Sequence, residues 1–339
     1  MQFIAAKTQQ LLNDVSARSI FALIDPEMLL VEEELERQTS SNLQVIDYLG
    51  RYLLETKGKR VRPALLILSA FAAGNGNKAS GMVRLAAVME MLHTATLVHD
   101  DIIDNADLRR NRASLNAKFG NQAAVLMGDW LYMSAFETSL EQRSLEILDV
   151  LTRLTRMMTE GELMQLTLIG NTAISEAQYF EVLQRKTAYL FSGCCEIGAL
   201  LSGASADVRT GLRDYGMDLG IAFQLADDAF DFTANEKTIG KAAGSDILEG
   251  KMTLPLIKLI KADPDVRDIL EEIMDEGVYK NGAREEIARR LRTNSILEET
   301  RAVAREHGER ARKTLEVLPE TAYRSALEAI PDFVIRRSK

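Results

Sequence analysis

The sequence predicts an all-α protein, a helical bundle around a deep central cavity, and three observations lead there. Only six prolines occur in 339 residues, and none lies between Pro63 and Pro255. Aromatic residues make up 6% of the chain while Ala, Leu, Met, Glu and Arg fill the proline-free stretch, a composition that favours helix over strand. Apolar residues recur at helical spacing near 3–22, 27–38, 42–56, 62–74, 80–105, 120–141, 144–169, 175–191, 193–203 and 205–233, then near 253–262, 266–275, 283–292, 294–317 and 320–329. Gly74-Asn75-Gly76-Asn77, Gly170-Asn171 and Asn235-Glu236-Lys237 read as breaks. No linker rich in Pro, Gly or Ser divides the chain, so residues 1–339 are expected to form a single domain.

The formal charge of −9, from 41 basic and 50 acidic residues, argues against a general nucleic-acid binder. Cys194 and Cys195 are adjacent and offer no metal-ligand spacing; they read as small core residues of an intracellular protein. The opening Met1-Gln2-Phe3-Ile4-Ala5-Ala6-Lys7 lacks the basic start and apolar core of a signal peptide, and no transmembrane run is evident. A cytoplasmic location is the expectation.

Two aspartate clusters dominate the pattern. Asp100-Asp101-Ile102-Ile103-Asp104 and Asp227-Asp228-Ala229-Phe230-Asp231 repeat one spacing within stretches that otherwise read as apolar helix. At about 100° per residue the three carboxylates of each cluster fall at roughly 0°, 100° and 40°, on one face of a single turn. Such a face is destabilising in a bundle interior unless cations neutralise it. Mg²⁺ fits, because it takes one or two protein carboxylates and completes its octahedron with water and phosphate oxygens. A solvated acidic helix face is the alternative, and the apolar flanks argue against it.

The cations have a matching distribution. Gly58-Lys59-Arg60-Val61-Arg62-Pro63 places three basic residues ahead of a helix whose first turn accepts Pro63. Arg109, Arg110 and Arg112 follow the first cluster, Lys237 and Lys241 the second, and Lys186 and Lys251 supply further charge. His93 lies seven residues before Asp100, about 20° around the helix and roughly 10 Å along it, and Gln224 precedes Asp227 by one turn. The inventory predicts two acidic walls for a metal-bound diphosphate and a separate basic pocket for a second diphosphate bound without metal.

These residues resemble the trans-isoprenyl diphosphate synthases, or polyprenyl synthetases. Gly58 to Pro63, His93 to Asp104, Ala106 to Arg110, Lys186-Thr187, Gly220 to Asp231 and Gly250 to Pro255 look like that family's motifs in its order, spanning residues 58 to 255. The resemblance implies a bundle, usually homodimeric, that joins isopentenyl diphosphate to an allylic diphosphate with Mg²⁺, three ions in all. It implies that Asp100, Asp104 and Asp227 ligate metal, and that Asp101, Asp228 and Asp231 ligate it or hold its water. Arg109, Lys186 and Lys241 would then contact the allylic diphosphate, with Thr187 and Gln224 among the catalytic residues. Gly58, Lys59, Arg62, His93 and Arg110 would hold isopentenyl diphosphate, with Lys251 a further substrate-binding cation. One departure follows Arg110: Asn111-Arg112 stands where Gly-Lys is common in the family, which bears on the geometry of that loop. The released diphosphate, rather than a dedicated side chain, would accept the proton lost at the end of the reaction.

Chain length is read from small residues before the first cluster. Ala95 and Thr96 stand where short-chain members of the family often carry aromatic rings, so a long product is expected, octaprenyl to decaprenyl, as in quinone side chains. Met133 and Phe136, followed by Leu140, are the expected floor of the tunnel. Release of such a product allows peripheral contact with a membrane. Among the alternatives, a terpene cyclase lacks the second basic pocket. A histidine–aspartate phosphohydrolase spaces its histidines differently. A di-iron bundle needs a second Glu-x-x-His, and only His93, His99 and His307 occur. A shorter-chain synthase and a non-catalytic subunit remain as readings to test.

Overall fold

The computed structural model describes residues 20–55, 58–74, 79–232 and 244–335. Helices α1 (Asp25–Thr39), α2 (Gln44–Leu54), α3 (Val61–Ala72) and α4 (Ala79–Ile103) lead into a two-residue hairpin, β1 (Leu108–Arg109) and β2 (Arg112–Ala113). Then come α5 (Leu115–Phe119), α6 (Asn121–Leu140), α7 (Leu145–Leu168) and α8 (Glu176–Leu183). A π-turn (Gln184–Ala188) joins α8 to α9 (Tyr189–Ser202), and α10 (Ala206–Asp231) follows. The remainder is α11 (Ser245–Leu248), α12 (Leu254–Ala262), α13 (Val266–Glu276), α14 (Ala283–Thr293), α15 (Ile296–Thr314) and α16 (Ala322–Ile335). The all-α expectation holds, and the predicted first helix near 3–22 falls almost wholly outside the described residues.

Helix α3 is apolar all round and buried from Ala64 to Ala70, as a central helix must be. Helix α4 is long and apolar enough over Gly81–Ile103 to cross a membrane by length and composition, yet two-thirds of that window is buried inside the protein. It is a core helix of the bundle.

Two departures from the predicted boundaries have physical causes. The expected break near 192 is absent; the chain instead widens into the π-turn at Gln184–Ala188. Two glycines let that turn pack closely: a Cβ on Gly161 of α7 would lie 2.7 Å from the Lys186 amide nitrogen, and one on Gly220 of α10 would lie 2.6 Å from Ala188 Cα. π-turns of this kind are frequent at functional sites. Helix α16 runs on through Pro331, where a stop was expected. Proline has no N–H to give the carbonyl four residues back, and the buried Tyr215 hydroxyl donates to that carbonyl, Leu327 O, at 2.7 Å. Tyr215→Phe is therefore expected to cost about 1–3 kcal/mol in denaturant unfolding. The cost should shrink in a Pro331→Ala background, where the backbone supplies the missing donor.

Candidate active site

Both aspartate clusters end long helices. Asp100 and Asp101 occupy the last turn of α4, with Asp104 just beyond it, while Asp227, Asp228 and Asp231 occupy the last turns of α10. The C-terminal end of a helix carries partial negative charge, so six carboxylates placed there need cations nearby. Between the two helices lies a cavity of about 800 Å³. Its lining draws His93, Thr96 and Asp100 from α4 and Gln224 and Asp227 from α10. Lys186 and Thr187 come from the π-turn, Gly58, Lys59 and Arg62 from the entry to α3, and Arg109 and Arg110 from the hairpin. Residues chosen from distant parts of the sequence thus meet around one space.

The carboxylates divide their work more than shared helix faces predicted. Asp100 faces the cavity, and burial, with the nearby Glu162 and Asp104 charges, pushes its pKa up to about 6 against the pull of Lys186. Asp101 is buried and accepts from Arg109 Nε at 2.8 Å. Asp104 accepts from Lys251 Nζ at 2.9 Å. In the second cluster only Asp227 lines the main cavity. Asp228 is buried, accepting from Tyr179 Oη at 2.5 Å and Gln224 Nε2 at 2.9 Å, while Thr187 Oγ1 donates to Gln224 Oε1 at 3.1 Å. Burial pushes Asp228 up to about 7 despite those donors. Asp231 accepts from the backbone amides of Gly244, Ser245 and Asp246, and its Oδ2 is buried without a partner among the described residues.

Lys251 requires a correction. Its ammonium sits between Asp104 and Glu249, 2.7 Å from the latter, and lines a smaller cavity of about 200 Å³ behind the second cluster. Burial works against its charge, but Glu249 and Asp104 more than compensate and raise its pKa. It therefore belongs to the acidic cleft and not to the basic pocket. Lys241 lies outside the described residues.

Gly58, Lys59, Arg62, His93 and Arg110 line the same cavity together. Arg60 differs from these: in left-handed conformation (φ 49°), it turns inward to Glu32 at 2.7 Å and Glu90 at 2.8 Å, anchoring the loop to α1 and α4. Arg62 is half-buried over the Phe191 ring at 5.0 Å, and its buried Nε has no partner among the described residues. Burial lowers the pKa of Arg62, and burial together with Arg62 and Arg110 drives His93 well below the usual histidine range, leaving the imidazole neutral. Gly58 lets the Arg110 guanidinium lie close to the loop, since a Cβ there would lie 2.8 Å from Arg110 Nη1 and displace the end of that side chain. The hairpin resolves the Asn111 question: Arg110 (φ 51°) and Asn111 (φ 63°) both take the left-handed conformation that a two-residue turn requires, and asparagine tolerates it.

Sequence reasoning missed several partners. Glu162 and Gln165 hold Lys186 Nζ at 2.5 Å and 2.7 Å, and Lys186 lies 3.8 Å from Asp100. Their signal was available: Gly161-Glu162 and Gln165 put polar groups one turn apart in a helix facing the first cluster. Tyr179, seven residues before Lys186, had no such signal. Of the expected chain-length residues, Thr96 lines the cavity but Ala95 does not. Ala95 is fully buried among Leu49, Val98, Met127 and Leu131, where α4 meets α2 and α6. Met133 and Phe136 line a separate groove between α6 and α7, and Met133 is 62% exposed, so they do not close the cavity as a floor within this chain.

A helical bundle whose cavity carries an aspartate-bearing helix end on two sides and a separate basic pocket has the architecture of an isoprenoid synthase. The polyprenyl synthetase family profile matches residues 43–291. The octaprenyl diphosphate synthase of Escherichia coli is 36% identical over 96% of this chain and 100% of its own length. The crystal structure of a polyprenyl synthase from Caulobacter crescentus, complexed with calcium and isoprenyl diphosphate, superposes with a TM-score of 0.90 at 34% identity, covering 95% of this chain and 98% of that one. A decaprenyl diphosphate synthase structure from Rhodobacter capsulatus gives 0.88 at 33% identity, over 95% and 99%. The chain belongs to the polyprenyl synthetase family and is a prenyltransferase.

Proposed function

We propose that this protein is a long-chain trans-polyprenyl diphosphate synthase. It condenses isopentenyl diphosphate with an allylic diphosphate of farnesyl or geranylgeranyl type and repeats the step to an octaprenyl to decaprenyl product, of the kind used in quinone side chains. The observation that carries the reading is the pairing, in one cavity, of an acidic wall at Asp100 and Asp227 with a basic pocket holding an Arg62 Nε that is buried without a partner among the described residues.

The residues fit Mg²⁺. Hard carboxylate oxygens crowd the cleft, Asp231 Oδ2 is buried without a partner among the described residues, and Asp100 is held at a raised pKa by burial and, after it, by the Glu162 and Asp104 charges. Asp100, Asp104 and Asp227 would hold the ions, three in all, which when bound stabilise the negative charge of the departing diphosphate. Arg109 and Lys186 orient the allylic diphosphate, Lys186 being fixed by Glu162 and Gln165. Arg62, Arg110 and Lys59 bind the second diphosphate without metal, and neutral His93 offers it a ring N–H. Leu190, Phe223 and Met158 supply apolar wall where the allylic cation forms. The diphosphate released there accepts the final proton.

Large apolar side chains stand exposed on the outer faces of α6 and α7, among them Leu126, Met133, Leu140, Leu145 and Leu163. That surface supports a homodimer. The protein is read as one all-α domain acting in the cytoplasm, with peripheral membrane contact when product leaves.

Purified chain incubated with Mg²⁺, labelled isopentenyl diphosphate and farnesyl diphosphate should give a ladder ending in one long prenyl alcohol after dephosphorylation. A product of twenty carbons or fewer would favour a shorter-chain synthase, and no elongation with any allylic primer would indicate a non-catalytic subunit. The raised carboxylates add a stability signature. A group whose folded pKa exceeds its unfolded value stabilises the fold fully below the unfolded value, and that contribution is lost as pH rises through the folded one. For Asp100 the window runs from about 4 to about 6. Metal-free protein should therefore lose thermal stability across that window, and Mg²⁺ with diphosphate should restore it at neutral pH; a melting temperature indifferent to Mg²⁺ with diphosphate would contradict the assigned ligands.

A further inference from the structure

Arg60 borders the reaction cavity alongside Lys59 and Arg62, yet all three of its guanidinium nitrogens are bonded to carboxylates. Nε and Nη2 reach the two oxygens of Glu32 on α1, at 2.7 Å and 3.3 Å, and Nη1 reaches Glu90 on α4 at 2.8 Å. A planar fork can span two acids in this way, whereas an ammonium is a single point charge. Arg60 and Glu90 are buried. Glu32 is half-buried and is not among the residues that line the cavity.

The clamp acts on the backbone as well. Arg60 takes the left-handed conformation, φ 49° and ψ 36°, which a residue with a side chain holds only where its surroundings over-determine it. Its carbonyl accepts the Ala64 amide at 3.2 Å, and no side chain caps the start of α3. Ion pairs to two other helices thus fix the residue at which the chain turns, with Lys59 directly before it and Arg62 two residues after. The cations assigned to the allylic diphosphate are held from elsewhere, Arg109 by Asp101 at 2.8 Å and Lys186 by Glu162 and Gln165 at 2.5 Å and 2.7 Å.

We propose that Glu32, which stands outside the cavity, is a positioning residue for isopentenyl diphosphate: through Arg60 it holds the turn that presents Lys59 and Arg62 to the cavity. The proposal rests on the synthase reading above. Arg60 serves as a brace and not as a further cation for the diphosphate, so the basic run Lys59-Arg60-Val61-Arg62 divides into two ligands and one strut. Glu90 shares the clamp, but it lines the cavity and its charge acts directly on Arg62 and Arg110, which makes Glu32 the cleaner probe.

The test compares wild type, Glu32→Gln, Arg60→Lys, Arg60→Met and the double variant of Glu32→Gln with Arg60→Met in steady-state kinetics, each diphosphate varied in turn. Glu32→Gln is expected to raise the KM for isopentenyl diphosphate about 3- to 10-fold, as a weakened charge-assisted pair felt through one intervening residue. The KM for the allylic diphosphate should stay within about twofold of wild type. Arg60→Lys should behave like Arg60→Met, because charge without the fork does not bridge both acids, and the double variant should be no worse than Arg60→Met. Glu32 is half-buried, so its variant carries the test if the Arg60 variants do not fold. An unchanged or lowered KM for isopentenyl diphosphate in Glu32→Gln would overturn the proposal, since an Arg60 released toward the diphosphate would then be its ligand. Equal rises in both KM values, or a fall in kcat alone, would reduce the clamp to a structural contact and overturn it too. So would Arg60→Lys with wild-type kinetics, or additive effects in the double variant. Failure of the wild type to elongate any primer would instead reject the synthase reading itself, and this inference with it.

Discussion

Asp100→Asn is expected to slow condensation by about 10²- to 10³-fold, equivalent to about 3–4 kcal/mol of transition-state stabilisation. The same substitution should make metal-free protein no less stable at neutral pH, and more stable if anything. Asp100 is mostly buried beside Glu162 and Asp104, and its pKa is raised to about 6, so asparagine replaces a charge that the fold bears at a cost. The two effects have opposite signs and are read separately, by turnover at saturating Mg²⁺ and by thermal unfolding without it. A variant that lost activity because it unfolded, or one that kept wild-type turnover, would remove Asp100 from the metal-binding wall.

Arg62→Met is expected to raise the KM for isopentenyl diphosphate by about 30-fold or more, since truncating one partner of a buried charged contact costs roughly 2–5 kcal/mol. The KM for the allylic diphosphate should change far less, because that ligand is assigned to Arg109 and Lys186 across the cavity. Arg62 makes this separation sharp. It is half-buried, its Nε is buried without a partner among the described residues, and burial lowers its pKa, a setting that a bound anion would relieve. Methionine keeps much of its length against Phe191 and should not destabilise the fold. Steady-state kinetics with each substrate varied in turn would test this, and equal effects on both KM values would merge the two proposed sites into one.

Much of the site was legible because its chemistry is carried by short motifs whose spacing matches a helical turn. Asp100, Asp227, Lys186, Arg62 and His93 meet at one cavity although they lie far apart in sequence, because each sits at a helix end or on a helix face that the apolar pattern orients inward. What the pattern could not resolve was the split within each cluster. Periodicity puts Asp100, Asp101 and Asp104 on one face, but the last turn of α4 is where the helix ends, and each carboxylate there finds a different partner: Lys186, Arg109 and Lys251 respectively. The setting of Lys251 was illegible for the same reason, since a cation's surroundings depend on which acids reach it across 147 residues of chain. The π-turn was illegible because it inserts a residue into a pattern that remains helical on both sides. Ala95 was ambiguous because smallness has two uses in a bundle, leaving room for a ligand or letting helices approach, and the sequence does not distinguish them. Its neighbours Leu49, Met127 and Leu131 show that it serves at least the second.

On the proposed reading, one cavity binds two diphosphates by different chemistry, one through metal and one through arginine. Calorimetry in the presence of a chelator tests it directly. Isopentenyl diphosphate should bind the metal-free protein and lose that binding in Arg62→Met, while a non-reactive thio analogue of farnesyl diphosphate should bind tightly only after Mg²⁺ is added. Isopentenyl diphosphate that bound only with Mg²⁺, or an analogue that bound equally well without it, would contradict the account.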